Sequence, residues 1–222
     1  HLWQSNMILV NSEIISNTAY DGGGMKIFDS NPIITNVLIA DNFAYNGGGV
    51  ANDNDIYSNT STFNKVSLIN NNASQYGGAC YIGSGGNYNF KNVIITNNSA
   101  PTGSAIASFW EAAVYIDSSV ITNNEGLYTV YANEASLDLN NSSISYNRGN
   151  AIWEINSVSS SELITITNNE GYAIHSDGNS IVSSSNFVNN RLGFFSNNIL
   201  GTVTTAYCYW GNSSGPYHPN QN

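Results

Sequence analysis

Basic side chains are scarce in this sequence: five Lys and Arg stand against 15 Asp and Glu, a net charge of -10. A nucleic-acid-binding surface needs a stripe of cations to neutralise phosphates, so nucleic acid is excluded as a partner. Attachment to an anionic membrane surface is disfavoured for the same reason. No apolar run approaches the ~20 residues of a membrane helix, and no membrane insertion by this segment is expected. Two cysteines, Cys80 and Cys208, are too few for a disulfide framework. Strong helix formers are sparse and no 3.6-residue apolar stripe persists, which excludes a helical repeat. What remains is not the composition of a disordered chain, since 41% is hydrophobic and 12% aromatic. Polarity comes from Asn, Ser, Thr and Tyr, residues of strands and turns.

One phrase keeps returning: "INNNASQYGGACYI" from Ile69, "ITNNSAPTGSAIASFW" from Ile95, "ITNNEGLYTVYA" from Ile121 and "ITNNEGYAIHSD" from Ile166. Taking the Asn that ends each apolar-x-x-N unit as anchor gives Asn17, Asn42, Asn72, Asn98, Asn124, Asn147, Asn169 and Asn190, with a ninth at Asn212. The spacings from Asn17 to Asn190 are 25, 30, 26, 26, 23, 22 and 21 residues. Three positions before each anchor stands a large apolar residue: Ile14, Ile39, Ile69, Ile95, Ile121, Ile144, Ile166, Phe187 and then Tyr209. A glycine-rich or Ala-Ile element follows, such as "GGGM", "GGGV", "GGAC" and "GSAI".

A propeller blade needs ~40 residues, too long for this period. Three short strands and their turns fit it. The expected fold is therefore all-β: a right-handed, single-stranded parallel β-helix of about 8–9 coils. It spans residues 1–222 as one domain, with 213–222 leaving the solenoid to cap its end because two prolines there cannot donate to a ladder. Successive coils stack ~4.8 Å apart, so equivalent residues become physical columns. The anchor asparagines are expected at tight turns, in the left-handed conformation that Asn tolerates, each amide bonded to the next coil. Cys80 and Cys208 are six coil steps apart, far beyond the ~7 Å limit for a disulfide, and are expected as separate thiols. Ala51–Asn64 fills the longest coil and is expected to protrude. The chain opens abruptly on strand-like residues, with no basic region and apolar stretch, and is expected to be a piece of a longer protein whose flanking domains are missing.

The apolar-x-x-N and "GGA" pairing, clearest in "INNNASQYGGAC", resembles the repeat of the chlamydial polymorphic outer membrane proteins. The Phe of that family's F-x-x-N appears only in "FVNN" at Phe187, Ile replacing it elsewhere. The closing "YWGNSSGPYHPNQ" resembles the end of secreted bacterial β-helix proteins of the pectin-lyase-like class. The resemblance implies a secreted or bacterial cell-surface location. Its members include adhesins, polysaccharide lyases and hydrolases, so it does not choose a function.

The residue after each apolar pair forms another column: Lys26, Ala51, Tyr81, Ala107, Tyr131, Trp153 and His175. Neighbours of inward residues on a strand point outward, so Tyr81, Tyr131, Trp153 and His175 are expected on the surface as candidate ligand-binding residues. Acids follow at the next turn, among them Glu134, Glu154 and Asp177. Aromatic platforms beside carboxylates suit glycans, and an extracellular glycan or host-surface component is the partner implied. The same rings and acids also serve stacking and solubility alone. As a glycosidase, Glu134, Glu154 and Asp177 would supply the acid and the base, at the roughly 5–9.5 Å separation such pairs need. A lyase fits less well, because Arg148 and Arg191 lie near the anchors, away from the acids. Asp29, Asp53 and Asp55 are candidate calcium ligands, although no EF-hand pattern surrounds them. No other cofactor is implied, and His1, His175 and His218 lack metal-ligand spacing. The readings carried forward are a recognition module or stalk and, as the alternative, a polysaccharide-active enzyme.

Overall fold

The computed structural model describes residues 1–53, 59–196 and 202–211. It is all-β, a parallel β-solenoid of about eight turns. Its strands form two parallel sheets, one of 11 strands and one of 15. A central coil shows the plan. Cys80–Ile82 lies in the first sheet, and Asn87–Lys91 and Ile94–Thr96 lie in the second. A glycine-containing arc then returns the chain to the first sheet. Each residue meets its equivalent one coil on: Tyr81 pairs with Ala107, Tyr88 with Val114, Ile95 with Ile121.

Period-2 alternation decides what goes inside. In Asn87–Lys91, Tyr88 and Phe90 are buried, while Asn87, Asn89 and Lys91 are not. Stacking then turns each inward position into an apolar column. One runs Ile39, Leu68, Ile95, Ile121, Ile144, Ile166, Phe187. A second runs Met25, Val50, Cys80, Ile106, Val130, Ile152, Ile174, Phe194. Cys80 is thus an apolar filler, and burial pushes its thiol up to about 12. Both cysteines are free, as their separation requires.

The asparagine ladder exists, with one position corrected. Its third member is Asn71, not Asn72: Asn71 is fully buried and Asn72 exposed. The frame of that coil is accordingly Leu68-x-x-Asn71, with Leu68 in the core column and Ile69 half-buried. Asn17, Asn42, Asn71, Asn98, Asn124, Asn147, Asn169 and Asn190 are joined by Nδ2-to-Oδ1 bonds of 2.8–3.1 Å, each donating to the next coil. Each Oδ1 from Asn42 onward also accepts the backbone N–H of the previous ladder residue, as Asn124 does from Asn98 at 2.9 Å. Each Nδ2 from Asn42 onward also reaches a carbonyl of the preceding coil, Asn124 to Ile95 at 3.1 Å.

The left-handed conformation falls one residue earlier than expected. Ser16, Asp41, Asn70, Asn97, Asn123, Tyr146, Asn168 and Asn189 all have φ between 54° and 59°. This residue turns the chain, and the next one, the ladder Asn, points inward. The same device recurs where the two strands of the second sheet meet. Ser118, Asn141 and Ser184 turn, and Ser119, Ser142 and Ser185 follow. Those serines donate to the carbonyl two residues back and accept a backbone N–H from the coil before. Cys208 follows the left-handed Tyr207 in that column, its Sγ 3.4 Å from the Ala206 carbonyl, a thiol in a serine's place.

The triple glycines answer a close approach of backbones. A Cβ on Gly48 would lie 2.5 Å from the carbonyl oxygens of both Asn72 and Gly78. The two ends of the segment expected to protrude are strand, since Val50–Asp53 and Thr60–Asn64 belong to the two sheets, and residues 54–58 between them lie outside the described residues. Asp55, Asn212, His218 and the 213–222 segment lie outside the described residues.

Asn124→Ala should cost about 3 kcal/mol in denaturant unfolding, because the buried Asn98 N–H loses its acceptor and the side-chain amide bonds of Asn124 to Asn98, Ile95 and Asn147 are lost with it. Leu163 is exposed at φ 56°, a conformation that costs a branched side chain roughly 1–2 kcal/mol. Leu163→Asn should therefore raise the unfolding midpoint, and an unchanged or lower midpoint would contradict the turn geometry.

Candidate functional site

The column read from the sequence is present in register. Lys26, Ala51, Tyr81, Ala107, Tyr131, Trp153 and His175 are consecutive partners across the first sheet, and Phe195 continues it. From Tyr81 to Phe195 is five coil steps, ~24 Å along the axis. The sequence reading missed the rings beside it. Tyr76, Phe109, Tyr128 and Tyr172 pack against the column at centroid distances of 4.7–6.3 Å. Tyr81, Tyr131 and Trp153 are half-buried, and His175, expected on the surface, is instead buried between Trp153 and Phe195.

Ring planes decide what the surface can offer. Trp153 and His175 stack face to face, centroids 3.5 Å apart and planes 5° apart. His175 and Phe195 stack at 27°. Rings stacked along the solenoid axis spend their faces on each other and present edges outward. Tyr128 is tilted 43° from Trp153, and Tyr172 stands 66° from His175. These flanking tyrosines keep faces that are not committed to a stack. Burial raises the phenols of Tyr81, to about 12, and of Tyr131, so both remain hydroxyl donors. Burial lowers the His175 pKa, opposed by the charge of Asp177.

The three candidate acids do not form one site. Glu154 follows Trp153 on the strand and therefore points inward. It is 1% exposed, in the column of Ala132 and Ser176. This corrects the expectation that it sits with the turn acids on the surface. Ser180 Oγ donates to Glu154 Oε2 at 3.0 Å, and Ser159 and Ser176 also hydrogen-bond the carboxyl. Burial raises its pKa, and the three hydroxyls oppose that shift. Glu134 is exposed at a left-handed corner, φ 54°, next to Glu111 of the preceding coil. Asp177 is half-buried, its N–H bonded to the Glu154 carbonyl at 3.0 Å. Glu134 and Glu154 lie on opposite sides of the coil wall and cannot face each other across a bound sugar.

Of the calcium candidates, Asp29 and Asp53 are on neighbouring coils, the Asp29 N–H donating to the Asp53 carbonyl at 3.2 Å. The Asp53 carboxylate is paired with Lys26, which also lies 3.5 Å from Asp21. Among the described residues no cluster of three or more His, Cys, Asp or Glu is arranged to hold a metal ion. Arg148 and Arg191 follow ladder asparagines, in a column that reads Glu125, Arg148, Glu170, Arg191. Arg148 bonds Glu125 at 2.7 Å and approaches Glu170 to 3.9 Å. These exposed pairs edge a shallow axial groove floored by Gly126, Gly149 and Gly171.

No helix among the described residues is long and apolar enough to cross a membrane. The chain matches no protein-family model, no curated protein and no solved structure.

The buried carboxyl gives a pH test. A raised folded-state pKa means that the folded chain binds the proton more tightly than the unfolded one. The stability this group contributes is full below the unfolded value, about 4.3, and is lost as pH rises to the folded value. Glu154→Gln should remove that loss. The variant should gain on the parent protein in unfolding free energy between about pH 4 and pH 7. A difference that stays constant across that range would place the carboxyl in water.

Proposed function

We propose that this chain is a secreted or cell-surface recognition module that contacts glycan through its aromatic face. The observation that carries this is the strip of rings along one sheet face, with Glu154 buried inside the coil and not placed opposite the exposed Glu134. Flanking rings outside the axial stack, such as Tyr128 and Tyr172, meet the apolar faces of sugars, and the protonated phenols of Tyr81 and Tyr131 donate to sugar oxygens. The motifs resembling chlamydial surface repeats and secreted pectin-lyase-like proteins support an extracytoplasmic place. The rigid, continuously bonded ladder equally suits a stalk that holds such a face away from a surface. Glu154 inside the coil supports binding over turnover, since a hydrolase built on Glu134 and Glu154 needs both at the substrate.

A glycan array paired with a reducing-sugar assay tests the reading. Binding without release of reducing ends is expected, weakened about tenfold in Tyr131→Ala and Trp153→Ala. Turnover that disappears in Glu134→Gln or Asp177→Asn would establish the enzyme instead. Retention of full affinity by both aromatic variants would remove the proposed face.

A further inference from the structure

The aromatic face holds a second row that no repeat motif announces. Tyr76, Thr102, Tyr128, Asn150, Tyr172 and Leu192 occupy the same position on six consecutive coils. Rings therefore recur on every second coil, with a hydroxyl or an amide between them. Two coil steps are ~9.6 Å, roughly the length of a disaccharide. In a contiguous column each ring covers its neighbour, as Trp153 and His175 do. In this row no ring stands directly above or below another: Tyr76 packs sideways on Tyr81 at 27°, Tyr128 is tilted 43° from Trp153 and 32° from Tyr131, and Tyr172 stands 66° from His175 and 40° from Phe195.

We propose that the ligand of this face is an extended, neutral, β-1,4-linked glycan lying parallel to the solenoid axis. It sits at one sugar per coil, with alternate sugars on Tyr76, Tyr128 and Tyr172. This rests on the reading that the face binds glycan, and adds which glycan and in what register. In an equatorially 1,4-linked chain each sugar is turned over relative to the last, so like faces recur every second residue. That period is the period of the tyrosine row. An α-1,4-linked chain curls and loses the register within a few coils. Charge narrows the class further. Asp53, Glu111, Glu134 and Asp177 flank the strip at the adjoining corner, Lys26 is already paired there, and the chain carries a net -10. Such a border repels uronates and sulfated sugars and accepts hydroxyl or acetamido N–H donors.

The test is calorimetric titration of the 222-residue chain with cello- and chito-oligosaccharides, as di-, tetra- and hexasaccharides, and with malto-oligosaccharides of the same lengths. Affinity should climb from di- to tetra- to hexasaccharide for one or both β-linked series, and the malto series should bind about tenfold or more weaker. Comparison of the cello and chito series separates plain hydroxyl recognition from acetamido recognition. Tyr128→Ala and Tyr172→Ala should each lower hexasaccharide affinity about tenfold and flatten the length dependence, while Tyr128→Phe, which keeps the ring, should stay within about twofold. Matched unfolding midpoints establish that the variants retain the fold. Flat length dependence, equal malto binding, or binding that ignores Tyr128 and Tyr172 but falls in Tyr131→Ala would overturn the register and leave the recognition face standing. Absence of binding to every glycan would overturn both.

Discussion

A buried amide that bonds its own image one coil away is the interaction on which this structure depends. Each ladder Asn from Asn42 to Asn169 uses both amide hydrogens and its carbonyl within the protein. Its Oδ1 also collects a backbone N–H that the turn would otherwise leave unpaired in the interior. Unsatisfied buried groups cost about 1–3 kcal/mol each, so the ladder fixes the stacking register as strongly as the apolar columns beside it. Ile and Leu columns tolerate a small slip. Amides that must present Oδ1 to two donors do not.

The ladder is one instance of a rule repeated around the coil. A residue in the left-handed conformation reverses the chain, and the residue after it is sent inward as a small polar group that ties adjacent coils. At one corner the pair is Asn123–Asn124, and at another Ser118–Ser119 or Asn141–Ser142. The device removes the need for long loops, and it explains why so few charges and so much Asn and Ser suffice. Turning residues carry strain where they are Tyr146 or Leu163 instead of Asn or Gly, which shows the backbone demand overriding side-chain preference.

Stacking also governs the surface. The same ~4.8 Å step that joins the amides brings Trp153 and His175 into parallel contact, and in doing so hides the faces that a ligand would use. Rings one coil apart serve the fold. Rings two coils apart, such as Tyr128 and Tyr172, do not cover one another. The acids divide in the same manner: Glu134 at a corner meets solvent, and Glu154 on the strand beside Trp153 is locked under serine hydroxyls. A surface built this way takes its dimensions from the coil repeat.

The sequence by itself determined the solenoid, its apolar columns, the separation of Cys80 from Cys208, and the register of the column from Tyr81 to His175. Those follow from a repeat length and from period-2 alternation, both visible in one chain. Only the tertiary structure decided the frame at Asn71, because "INNNAS" offers adjacent asparagines and the neighbouring coils select the one whose amide lies between Asn42 and Asn98. It alone placed Glu154 inside, since strand bounds at the corner set whether the residue after Trp153 continues the alternation or joins the turn. It alone brought Tyr76, Tyr128 and Tyr172 beside the predicted column, because the arc between ladder and first sheet varies in length from coil to coil and hides their common position. Ring orientation was beyond sequence altogether: it depends on which side chain occupies the same site one coil above and below.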